Sequence, residues 1–125
     1  MMRKRSLMTF SLVGALAIAG CSSSSGSKSY VPPAGPPVKT FNISASNFAF
    51  APNTLTSPAG VIQINLKSTD GLHDFVVEGV PGFQVEVTSG NSSSGKIKLA
   101  KGKYTFYCDV AGHRAQGMEG TLTVT

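Results

Sequence analysis

From Val38 onward, apolar residues fall at alternate positions rather than at helical spacing. Ile62, Ile64 and Leu66 alternate with Gln63, Asn65 and Lys67, and Phe75 and Val77 follow. Ile97 and Leu99 alternate with Lys96 and Lys98, and Leu122 and Val124 with Thr121, Thr123 and Thr125. An extended chain sends successive side chains to opposite faces, so each set marks one buried strand face. Turn signals separate the runs at Ala51-Pro52-Asn53, Ser57-Pro58-Ala59-Gly60, Thr69-Asp70-Gly71, Val80-Pro81-Gly82, Ser89-Gly90-Asn91 and Lys101-Gly102-Lys103. Short strands so bounded, in fewer than about 90 residues, predict an all-β sandwich of two sheets. No stretch carries a convincing amphipathic helix. Between Phe83 and Gly95 the pattern is ambiguous, and FQVEV reads as a short strand or as loop.

The chain upstream has a different character. A basic stretch, Arg3 to Arg5, precedes an apolar run from Leu7 to Ala19, then small residues and Cys21, which is the pattern of a secretion signal. The run is shorter than the roughly 20 apolar residues that span a bilayer. Its end, Ile18-Ala19-Gly20-Cys21, resembles the lipobox of bacterial lipoproteins, in which the cysteine thiol is diacylated and becomes the new N-terminus. That resemblance implies a signal peptide over 1–20 and a lipidated Cys21. It also implies an extracytoplasmic protein anchored to a bacterial membrane, on the periplasmic or cell-surface side. Ser22 to Pro37 (SSSSGSKSYVPPAGPP) lacks periodicity and reads as a tether, flexible and stiffened near its end by prolines. The expected organisation is therefore a signal over 1–20, lipidated cysteine and tether over 21–37, and one folded domain over 38–125.

Composition narrows the function. At 125 residues and 13.0 kDa the chain has room for one ordinary domain. Charged residues are 14% against about 25% in typical proteins, and 14 Gly and 7 Pro suit a turn-rich β fold. The formal charge of +5 includes Arg3, Lys4 and Arg5; without them 8 Lys and Arg face 6 Asp and Glu, a net +2. A nucleic-acid partner is not expected.

The candidate chemistry lies near the C-terminus. In KGKYTFYCDVAGHRAQGMEGTLTVT, Cys108, His113 and Met118 are spaced Cys-x(4)-His-x(4)-Met, and the other histidine of the chain is His73 in LHDFVVEG. If Cys21 carries lipid, Cys108 is a lone thiol in an exported protein, and metal ligation gives such a thiol a purpose. Tyr104 and Phe106 alternate with outward Thr105, so Cys108 continues the inward face at a strand end. Gly112, Ala115 and Gly117 are small enough for a loop to fold back and bring His113 and Met118 to the same point. Two imidazoles, one thiolate and a weaker thioether form the site that copper uses for electron transfer. Zinc accepts the same Cys and His ligands, while the single cysteine together with methionine favours copper.

With these residues in view, the domain resembles a cupredoxin, a small blue copper protein of the plastocyanin and azurin superfamily. The resemblance runs from about Val38 to Thr125 and takes in ASNFAF, the Pro-Ala-Gly turn before GVIQINL, the His-Asp-Phe segment and the Cys-to-Met loop. It implies a Greek-key β-sandwich binding one type 1 copper ion. His73, Cys108 and His113 would be the equatorial ligands and Met118 the axial one. The Cys-to-His spacing is longer than in plastocyanins and more similar to that of sulfocyanin-like proteins and of the blue site in multicopper oxidases. Two histidines in total are too few for the trinuclear site of those oxidases, and one cysteine in the loop is too few for a binuclear copper centre. Asp74 and Asp109, which follow His73 and Cys108, are expected to tie the two ligand segments together or to cap turns, and two close carboxylates would repel unless one is protonated or bonded to backbone N–H.

The expected function is that of a monomeric, non-enzymatic one-electron carrier between a redox donor and a redox acceptor, held to the membrane by its lipid. On the resemblance, His113 would be the ligand reaching the docking surface, with Arg114 beside it as a residue for an acidic partner or simply a solvated loop residue. The alternative is a copper-binding chaperone or copper-homeostasis lipoprotein. Trafficking sites use several Met or Cys ligands, whereas this domain has one Cys, and Met118 is its only methionine beyond the signal segment.

Overall fold

The structure is a computed structural model and is described here for residues 29–125. The expected signal over 1–20 and lipidated Cys21 lie outside the described residues. Nine strands follow one another: β1 (Lys39–Ser46), β2 (Ala49–Ala51), β3 (Thr54–Ser57), β4 (Gly60–Ser68), β5 (His73–Val77), β6 (Gln84–Val87), β7 (Ser92–Leu99), β8 (Gly102–Tyr107) and β9 (Glu119–Val124). One sheet has the order β2-β1-β4-β7, the other β3-β9-β8-β5-β6. The pairs β1–β4 and β3–β9 are parallel and all the others antiparallel. The chain passes repeatedly from one sheet to the other, giving the expected all-β Greek-key sandwich. Among the described residues no helix is long and apolar enough to cross a membrane.

The alternating positions face the interior as predicted. Ile62, Ile64, Leu66, Ile97, Leu99, Leu122 and Val124 are all buried. At the centre, the rings of Phe75 and Phe106 stack at 4.6 Å, and Phe50 meets both edge-on at 5.7 and 5.4 Å. Such aromatic pairs add about 0.5–1.5 kcal/mol each beyond the area they bury. The ambiguous FQVEV segment is a strand: Val85 and Val87 of β6 are buried while Gln84 and Glu86 are exposed, a period of two. The turn expected at Lys101-Gly102-Lys103 sits slightly earlier, since Gly102 already opens β8.

Contacts of the fold reach upstream of Val38. The Tyr30 hydroxyl donates to the Lys96 carbonyl at 2.8 Å, its ring meets Phe83 edge-on at 5.3 Å, and Lys96 Nζ donates to the Gly35 carbonyl at 3.1 Å. The second half of the segment read as a tether thus runs against β7.

Candidate metal centre

The site forms where two paired strands part company. β5 and β8 are joined by a backbone ladder only at Val76–Tyr107 and Val77–Phe106. Continued by two residues, the same register would set Asp74 opposite Asp109. At that point side chains replace the ladder: the Asp74 N–H donates to Cys108 Sγ at 3.5 Å, and the Asp74 carboxylate accepts the Asp109 N–H. The strands therefore stay tied while leaving room between His73, which opens β5, and Cys108, which follows β8.

After Cys108 the chain turns back within ten residues. His113 N–H donates to the Val110 carbonyl at 3.0 Å, and a single 3-10 turn follows over Arg114–Gln116. Gly117 ends that turn at φ +98°, in the left-handed region where a side chain is strained. Met118 then closes the loop: its N–H donates to the His113 carbonyl at 3.2 Å and its carbonyl accepts the Cys108 N–H at 3.1 Å. The three residues of the Cys-x(4)-His-x(4)-Met spacing are thus tied to one another through the backbone, as the small residues between them foretold.

The donor atoms converge. One ligand atom each from His73, Cys108 and His113 lie within 4.8 Å of one another, with Cys108 Sγ 3.5 Å from His113 Nδ1. His73, Cys108 and Met118 have no exposed surface, whereas His113 is partly exposed. The two imidazoles face each other at 5.1 Å, and Phe48 packs edge-on against His113 at 5.1 Å. His73 Nε2 lies 3.0 Å from Asp70 Oδ1. His73 Nδ1 is the one buried side-chain nitrogen or oxygen among the described residues that lacks a hydrogen-bond partner. A buried polar atom left unpaired costs about 1–3 kcal/mol, a cost that a metal ion on its lone pair would remove. Two imidazoles, a thiol and a buried thioether, with one buried imidazole nitrogen left unsatisfied, fit one type 1 copper ion.

Burial pushes the Cys108 thiol above its ordinary range, and the N–H groups of Asp74 and Val110 pull it back in part. Asp74 is itself buried, and besides the Asp109 N–H it accepts a bond from Gln84 Nε2 at 2.7 Å. The expected clash of Asp74 with Asp109 does not arise, because it is the backbone of Asp109 that meets the carboxylate. Arg114 is not a free cation. Its guanidinium lies 3.9 Å over the Tyr107 ring and pairs with Glu119 at 3.2 Å and Glu78 at 3.7 Å. Glu119 is exposed and serves Arg114.

Three participants escape a reading of the chain. Asp70 looks like turn chemistry in Thr69-Asp70-Gly71, although an aspartate three residues before a candidate ligand is a usable signal. Phe48 and Gln84 come from other strands or loops and leave no local trace.

The fold and site together define a small two-sheet β protein with a mononuclear metal centre at one end. The profile of the cupredoxin-like domain matches residues 12–124, and the chain belongs to that family. Among curated protein sequences nothing matches. Similar solved structures include auracyanin B, at 22% identity over 80% of this chain and 96% of that one, TM-score 0.64. Another is the dithionite-reduced auracyanin of the photosynthetic bacterium Roseiflexus castenholzii, at 23% identity over 73% and 99% of the two chains, TM-score 0.59. A third is auracyanin A, described as a "blue" copper protein from the green thermophilic photosynthetic bacterium Chloroflexus aurantiacus, at 21% identity over 69% and 98%, TM-score 0.60. At these identities the likeness is one of fold.

Proposed function

We propose that the protein is a one-electron carrier in which His73, Cys108 and His113 would hold one type 1 copper ion, with Met118 as a weaker thioether ligand. The observation that carries this reading is the convergence of two imidazoles and a thiol within 4.8 Å, one of the imidazoles having a buried, unpaired nitrogen in His73 Nδ1. When bound, copper supplies a one-electron couple between Cu(I) and Cu(II). The protein's part is to keep the donors in one arrangement for both states, so that little has to move. Asp74 does this by tying the Cys108 segment to β5, and Met118 does it through two backbone bonds across the loop. His73 is sealed while His113 keeps some surface, so His113 is the edge through which a redox partner and the site come into electronic contact.

The lipobox-like Ile18-Ala19-Gly20-Cys21 supports an extracytoplasmic carrier, held to a membrane by lipid on Cys21, and the similar fold of auracyanin A, described as a "blue" copper protein, supports the copper. Donor and acceptor are then redox proteins at that membrane. Confinement by the anchor raises their effective concentration.

The test is an optical and EPR spectrum of the purified protein after adding Cu(II), with Cys108→Ala and Met118→Gln alongside. An intense thiolate-to-copper band with narrow hyperfine splitting, absent in Cys108→Ala, is expected. A colourless protein that binds Cu(I) and releases it readily would replace the carrier with a copper chaperone.

A further inference from the structure

We propose that Asp70 is a positioning residue of the metal centre, one carboxylate that orients His73, braces the contact to His113 and biases the site toward Cu(II). The inference deepens the copper reading above and rests on it.

The His73 ring has no exposed surface, and its two nitrogens differ sharply: Nε2 lies 3.0 Å from Asp70 Oδ1 and Nδ1 has no partner. A carboxylate oxygen beside an imidazole nitrogen accepts its hydrogen, so Nε2 carries the hydrogen and the Nδ1 lone pair is left without a partner in the protein. The same Asp70 oxygen accepts the Asn47 N–H at 3.0 Å. The next residue, Phe48, places its ring edge-on against His113. One oxygen atom therefore holds the ring of one ligand and the chain that abuts the other.

Asp70 is in turn held from behind. The buried Ser68 hydroxyl donates to the carbonyls of Asp70 at 3.1 Å and Gly71 at 2.8 Å, and the Thr69 N–H donates to the Ala45 carbonyl at 3.0 Å. A turn fixed on both sides does not need a carboxylate to hold its shape, so the acid is free to act on the imidazole. Negative charge beside Nε2 makes Nδ1 a better donor and favours the more highly charged metal ion. Asp70 thereby lowers the reduction potential.

The experiment uses the full chain in detergent, with Asp70→Asn and Asp70→Ala as variants. Three quantities are measured: the imidazole nitrogen spectrum of the metal-free protein, the affinities for Cu(II) and Cu(I), and the reduction potential of the copper-loaded protein. The metal-free parent should show a His73 Nε2–H protected from exchange. Asparagine still offers an acceptor and should keep that tautomer and the blue band. Losing the charge should weaken Cu(II) binding about tenfold relative to Cu(I), a rise of about 59 mV for a one-electron couple. Alanine should lose the protected Nε2–H and weaken Cu(II) binding by about 10- to 100-fold. Parent-like affinities and potential in both variants, with only the melting temperature lowered, would reduce Asp70 to a turn residue. Failure of the parent to form a blue site would sink the copper reading but not decide about Asp70. There the metal-free spectra decide: an Nε2–H lost in Asp70→Ala supports the positioning role, and an Nδ1–H in the parent overturns it.

Discussion

Asp74 does in one side chain what a pair of ladder bonds does elsewhere in the sheet. It is buried and accepts both the Asp109 N–H and Gln84 Nε2. Removing it in Asp74→Ala strands two donors, and hydrogen bonds to a charged group are worth about 1.5–3 kcal/mol. Chemical denaturation should show a loss of that order, and Asp74→Asn, which keeps an acceptor for the Asp109 N–H, should lose less. Cys108 makes a second prediction. Because burial raises its thiol above the ordinary range, the metal-free protein keeps that proton at neutral pH and must release it on taking up an ion as thiolate. Apparent copper affinity should therefore rise about tenfold per pH unit below the thiol pKa, as competition titrations at two pH values would reveal. The linked effect on the metal-free fold has the opposite sense. A raised folded-state pKa contributes stability that is complete below the ordinary thiol value of about 9 and is lost as pH climbs through the folded value. The candidate ligands were legible because a rare residue set at fixed spacing is a strong signal. Asp70 was not, since a turn already accounts for an aspartate before glycine, and only the folded chain shows what its carboxylate faces.

Among the elements, β9 shows how tightly the site's own sheet is built. A Cβ on Gly120 would overlap both the Asn53 carbonyl and the Phe106 ring, neither of which can move without disturbing β3 or the aromatic centre. Gly120→Ala should cost about 1–3 kcal/mol, the usual range for overpacking. Gly95 makes the contrast, because there the overlap is smaller and with side chains alone, Val85 Cγ2 at 2.8 Å and Phe83 Cε2 at 3.3 Å, and no backbone. Gly95→Ala should therefore lose less in the same urea titration. The strands with clean alternation, such as Ile62-Ile64-Leu66, could be placed from their pattern alone. β6 could not, because two buried valines are too few to separate strand from loop until His73–Val76 of β5 pair with Gln84–Val87. The parting of β5 from β8 was equally invisible, since register depends on both strands at once.

At the scale of the whole molecule, the N-terminal segment belongs to the sandwich further upstream than composition suggests. Proline and serine content marks Ser22 to Pro37 as tether, yet one aromatic residue within it finds a place beside Phe83 and Lys96. Tyr30→Phe should cost about 0.5–1.5 kcal/mol for the lost bond, and Tyr30→Ala more, because the ring contact goes too; melting curves would show both. Burial raises the Tyr30 phenol above its ordinary value near about 10. Its contribution is therefore complete below that value and fades as pH rises past the folded one, a difference that should vanish in Tyr30→Phe.

The Tyr30 contact also governs how the protein meets mechanical load. Tension on the chain ahead of Tyr30 falls first on its bond to Lys96 and on the Lys96–Gly35 link, and only then on β1. β1 runs parallel to β4 over seven paired positions from Lys39–Ile62 to Ala45–Ser68, so the pull shears many bonds at once instead of unzipping them singly. β5, which opens with His73, and β8, which Cys108 follows, lie in the opposite sheet. A pull on the chain ahead of Tyr30 is then spent in a sacrificial clasp and a long strand pair before it reaches His73 and Cys108.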